Sequence, residues 1–75
     1  MCRLANFSPG FTRNEALKIL LEMEGHNTDG TGSAYIKDNE FILEKYPFAL
    51  TDILKEGIPF LSHMPCNSHT IVHLR

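Results

Sequence analysis

Thr12-Arg13-Asn14-Glu15 constrains this chain more than any other four residues. A threonine with a glutamate three positions later is a capping box. The Thr12 hydroxyl accepts from the Glu15 N–H, and the Glu15 carboxylate reaches back to the Thr12 N–H. A helix must therefore start here. Phe11 and Ala16 stand at the hydrophobic-staple positions. The helix runs through Ala16 to Met23, with Ala16, Leu17, Leu20 and Leu21 at the three-to-four spacing of a buried stripe. Gly25 supplies a C′ residue that tolerates positive φ. Ahead of this helix there is room only for a short strand, Arg3 to Phe7, which Ser8-Pro9-Gly10 stops.

Downstream, the period changes. His26 to Gly32 is a loop of turn formers in which Gly30 and Gly32 permit positive φ. Ser33 to Ile36 and Phe41 to Tyr46 read as strands joined by a hairpin turn at Lys37-Asp38-Asn39-Glu40. Pro47 ends the second. Ala49 to Glu56 is a short amphipathic helix stopped by Gly57 and Pro59. Phe60 to Ser68, with Pro65 inside it, is irregular, and Thr70 to Arg75 is a last apolar strand. Strand, helix, hairpin, helix, strand is an α+β order with helices on one face of a sheet. It is not a regular βαβ alternation. Gly30-Thr31-Gly32 also lacks the third glycine and the following helix of a phosphate-binding fingerprint. No repeat, low-complexity tract or linker divides residues 1–75, which form one small domain.

Charge and composition exclude several classes. A net charge of −2 gives no electrostatic argument for nucleic acid or an anionic membrane. No apolar run approaches the roughly 18 residues that span a bilayer, and no signal-peptide pattern follows Arg3. The expected location is the cytoplasm, where a disulfide between Cys2 and Cys66, the two cysteines, is not expected. A core of this size leaves almost no surplus over conformational entropy. The final strand ends without a polar tail, so the chain reads as the front part of a longer domain. Its uncovered sheet edge and apolar helix face would then favour self-association.

Cys2 follows Met1 directly. Once Met1 is removed, a thiol and a free α-amine share one residue. The amine, with a reference pKa of about 7.7–8.0, is partly unprotonated near neutrality and can take the thiol proton as sulfur attacks a carbonyl carbon. At the other end, His73 and Arg75 are two residues apart on one strand and share a face. A guanidinium there can hold a carboxylate through two parallel hydrogen bonds.

Three separated segments carry a resemblance. Met1-Cys2-Arg3-Leu4 opens the chain, His26-Asn27-Thr28-Asp29-Gly30-Thr31-Gly32 lies before the hairpin, and Ile71-Val72-His73-Leu74-Arg75 closes it. In order and spacing they resemble the beginning of the class II glutamine amidotransferases, which are N-terminal nucleophile hydrolases. The resemblance implies a four-layer αββα sandwich, no cofactor, and a glutamine or γ-glutamyl substrate. It makes Cys2 the nucleophile that forms a glutamyl thioester and releases ammonia. Arg75 becomes the α-carboxylate ligand with His73 in support, and Asp29, Gly30 and Gly32 form a structural loop. Arg3, where many members have glycine, resembles the branch that hydrolyses γ-glutamyl amides; Thr31 stands where a tryptophan is common. The family continues past its His-x-Arg strand with an Asn-Gly oxyanion pair and an aspartate of the glutamine pocket. An absent oxyanion donor costs about 10²–10³ in rate, so these 75 residues alone are expected to be nearly inactive.

A different class remains open: a small interaction module stapled by zinc. His63, Cys66, His69 and His73 are all capable ligands. On a strand, however, His69 and His73 lie about 13 Å apart at roughly 3.3 Å per residue, too far for one tetrahedral ion. No metal site is therefore assigned.

Overall fold

The computed structural model describes residues 2–61 and 68–75. The segment holding His63, Pro65 and Cys66 lies outside them, as does Met1. Six elements follow in order: β1 (Arg3–Phe7), α1 (Arg13–Glu24), β2 (Thr31–Lys37), β3 (Glu40–Tyr46), α2 (Leu50–Lys55) and β4 (Thr70–Leu74). The expected order of strand, helix, hairpin, helix and strand is the observed one.

Local chemistry explains the elements. Thr12 has extended dihedrals and its side chain accepts from the Glu15 N–H at 3.1 Å, so the N-cap forms as its sequence dictates. The reciprocal arm differs from expectation: the Glu15 carboxylate accepts from the Thr12 hydroxyl at 2.9 Å. Gly25, at φ 51°, ends α1. Ala16 and Leu20 are fully buried and Leu17 packs against the core, whereas Leu21 is exposed. The stripe instead continues to Glu24, which is buried, with Met23 flanking it. Asp38 and Asn39, at φ 52° and 63°, form a two-residue turn of the I′ class, whose twist matches the strands it joins.

The four strands form one antiparallel sheet in the order β1-β4-β2-β3. β4 inserts between β1 and β2, pairing Leu4 with His73 on one side and Gly32 with His73 on the other. β3 pairs β2 through Gly32 with Lys45 and Ala34 with Leu43. Strand alternation then sorts the side chains. Thr70, Val72 and Leu74 turn inward and join Phe7, Tyr35, Ala16, Leu20, Leu50, Ile53 and Phe60 in one buried cluster beneath both helices. Ile71 and His73 turn to the opposite, outer face. The result is a two-layer α+β unit, helices on one face and the other face open among the described residues.

Two polar contacts tie α1 to the segments that follow β3. The buried Glu24 carboxylate accepts from the Thr51 N–H and from the Thr51 hydroxyl, each at 3.1 Å. Ala49, the N-cap of α2, offers no side-chain cap of its own, so the end of α1 caps the start of α2. The Arg13 guanidinium donates twice to the Phe60 carbonyl, at 3.1 and 3.0 Å.

Candidate functional site

The outer face gathers the residues singled out by the sequence. Leu4, His73, Gly32 and Lys45 form one cross-strand row. The adjoining row toward the chain ends is built on Arg75. Its N–H donates to the Gly30 carbonyl at 2.9 Å, and its carbonyl accepts from the N–H groups of Asp29 at 2.7 Å and Gly30 at 3.2 Å. On the other side, continuing the Arg3–Leu74 register by one residue sets Cys2 across from Arg75. Cys2 is exposed and has no disulfide partner among the described residues. The alternation that points Leu4 and Asn6 outward places Cys2 on that same face. One end of β4 therefore presents Arg75 and His73 between Cys2 on β1 and the two glycines at the start of β2.

Gly30 and Gly32 have a different role from the one their loop-like surroundings suggest. Neither adopts positive φ; the glycines that do are Gly10, Gly25 and Gly57. Gly32 lies inside β2, and both glycines matter for their missing side chain. A Cβ at Gly30 would meet the Tyr46 carbonyl at 3.3 Å, and one at Gly32 the Glu44 carbonyl at 3.3 Å. Their bareness leaves a groove of about 570 Å³ on the outer face. Gly30, Gly32 and Ala34 form its floor, Leu43 and Lys45 one wall, and Ile71, His73 and Arg75 the other. Asp29 stands at the rim, contributing its backbone N–H to β4. Cys2 is not among the lining residues; it lies across β4 from the groove.

The groove grades from charged to apolar. Lys45 and Arg75 supply cations near the chain ends, and Leu43, Ala34 and Ile71 continue toward the hairpin turn. A carboxylate fits the first part, where a guanidinium can grip it in a fork. Sequence reasoning passed over Lys45. The available signal was its parity with Leu43 on β3, which the register turns into proximity to His73 through Gly32.

On the opposite face, Glu44 lies among three hydroxyls. Ser33 and Tyr35 donate to it at 3.4 and 3.3 Å, and the single Tyr46 O–H is within reach of either Glu44 at 3.5 Å or the Pro59 carbonyl at 3.0 Å. Burial raises the pKa values of Tyr35 and Tyr46 above the usual tyrosine value, and the Glu44 charge and hydrogen bonds add to it. These hydroxyls are held as neutral donors beneath the sheet.

Among the described residues, no group of three or more His, Cys, Asp or Glu side chains could hold a metal ion. His73 stands on the outer face of β4 and His69 lies just before that strand, while His63 and Cys66 lie outside the described residues. No helix among the described residues is long and apolar enough to cross a membrane. Comparison with family models, with curated proteins and with solved structures gave no match.

Proposed function

We propose that the chain is the N-terminal portion of a glutamine amidotransferase-like domain, with Cys2 as its nucleophile after loss of Met1. The observation that carries this reading is the Arg3–Leu74 and Leu4–His73 register, which, extended by one residue, brings Cys2 beside Arg75, although 70 residues separate Cys2 from His73. The open face supports it further. A sheet with helices on one side and apolar side chains on the other suits the inner boundary of an αββα sandwich, in which a second sheet covers those side chains.

The chemistry follows from the groups. Arg75 holds the α-carboxylate of glutamine or a γ-glutamyl compound. The Cys2 α-amine takes the thiol proton as sulfur bonds to the γ-amide carbon. The C–N bond breaks, the departing nitrogen receives that proton, and ammonia or an amine leaves a thioester. Water then adds to the thioester, its C–S bond breaks, and the thiol and a free γ-carboxylate are restored. His73, on the same face as Arg75, orients the substrate.

The test is covalent. The protein is treated with an electrophilic glutamine analogue, and the modified residue is found by mass spectrometry. Labelling at Cys2 well ahead of Cys66, suppressed by Arg75→Ala, supports the reading. Equal labelling of both cysteines, or labelling of Cys2 that ignores Arg75→Ala, removes it.

A further inference from the structure

The outer face has a feature that the chemistry of Cys2 leaves unused. Leu4, Ile36, Phe41, Leu43 and Ile71 are large apolar residues between 44% and 68% exposed, and all five point outward from the same sheet face. A contiguous apolar face is normally covered by a partner.

The face also complements itself. Its middle row holds Ile71, Ala34 and Leu43. Two residues toward the chain ends lie the bare Gly32 and the Lys45 wall, which are concave. Two residues the other way, on the same strands, stand Ile36 and Phe41, which pair with each other and project. Knob and hole sit at equal distances on either side of Ala34. Charge follows the division in part: Lys45 flanks the hole and Arg75 lies beyond it with Asp29 at the rim, and the exposed Asp38 lies beside Lys37 in the turn beyond the knob.

We propose that this face pairs with a second copy of the chain, about a two-fold axis that runs across the strands through the Ala34–Leu43 row. Such an operation places Ile36 of one copy over Gly32 of the other, and the reverse, as an isologous interface requires. Phe41 covers the Lys45 ammonium, a cation–π geometry. Each acidic turn faces the other copy's cationic end. Four strands at about 4.8 Å spacing give roughly 400 Å² of sheet per copy. With side-chain relief the pair buries about 1,000 Å², the lower edge of specific interfaces. The pair has two helical layers outside and two sheets inside. The proposal stands on the shape of the face: the second copy's sheet takes the place that the sandwich gives to a second sheet, and its readout is separate from the labelling of Cys2.

The experiment is sedimentation equilibrium on the full chain up to about 100 μM, with three proteins: wild type, Ile36→Glu and Leu21→Glu. Ile36 and Leu21 are both exposed, so neither substitution disturbs the core; circular dichroism checks this. The expected result is a wild-type monomer–dimer equilibrium that Leu21→Glu leaves in place and Ile36→Glu weakens at least about tenfold. A wild-type chain that stays monomeric overturns the proposal. So does a dimer insensitive to Ile36→Glu, a dimer weakened equally by Leu21→Glu, or association that grows past the dimer without limit.

Discussion

Removing the Glu24 carboxylate should loosen α2 from the fold. Two hydrogen bonds converge on that carboxylate, from the Thr51 N–H and the Thr51 hydroxyl. Thr51 is the second helical residue of α2, where N–H groups have no intrahelical partner. Glu24 thus replaces the side-chain cap that Ala49 cannot provide. Losing a cap costs about 1 kcal/mol, and bonds to a charged acceptor are worth about 1.5–3 kcal/mol each. Thr51 is exposed, so water recovers part of both in the variant. Glu24→Ala should therefore destabilise by about 1–2 kcal/mol. Glu24→Gln keeps one acceptor oxygen and should cost less. Ala49→Ser supplies a local cap and should stabilise the Glu24→Ala protein more than the wild type. Urea unfolding at constant m measures all four, and on a chain this size about 1 kcal/mol shifts the thermal midpoint by about 4–8 °C. Glu24→Ala within about 0.3 kcal/mol of wild type would refute the reasoning, as would an Ala49→Ser effect identical in both backgrounds.

Other outcomes follow from single residues. The Thr70 hydroxyl is buried without a hydrogen-bond partner among the described residues. Thr70→Val should stabilise by about 1 kcal/mol by removing an unpaired polar group, and a destabilisation in urea would reveal a partner for it. Tyr35 and Tyr46 resist ionisation in the fold because burial and Glu44 disfavour the phenolate. Unfolded tyrosines release their protons near pH 10, so above that pH the unfolded state binds fewer protons than the native one and stability falls as pH rises. Urea midpoints should hold steady up to about pH 9.5 with respect to these groups and drop beyond it, less steeply in Tyr35→Phe; an equal drop in that variant contradicts the assignment. Gly32→Val should fill the groove floor and press on the Glu44 carbonyl. It should abolish self-association at a cost of about 1–2 kcal/mol in stability, and a dimer unchanged by it would argue against the knob-and-hole match.

The features legible in the sequence are the ones that local chemistry decides. Thr12 and Glu15 fix a helix start from four residues, and Asp38-Asn39 fixes a turn from two, because nothing distant can override them cheaply. Period alone puts Leu21 in the buried stripe, because it does not say which side of a stripe faces the core. The helix turns toward Ala16, Leu20 and Glu24. Glu24 carried an unused clue: an acid in the last turn opposes the helix dipole, which calls for a partner elsewhere, and Thr51 is that partner. Turn-forming neighbours give Gly30 and Gly32 the look of loop glycines. Their roles as the groove floor depend on backbone from β3, which is out of reach of local reading. The insertion of β4 between β1 and β2 is likewise non-local. The shared face of His73 and Arg75 follows from a two-residue spacing, but their approach to Cys2 needs the register.

That approach is also the most direct point of test. Residues directly opposite on antiparallel strands hold their Cα atoms about 4.5–5.5 Å apart, within the span of a disulfide. In a chain carrying Arg75→Cys and Cys66→Ser, mild oxidation at low protein concentration should join position 75 to Cys2 within one molecule, found by mass spectrometry of the digested protein. Thiols that stay free, or bridges that form only between molecules, would contradict the placement of Cys2 beside Arg75 on which the proposed site depends.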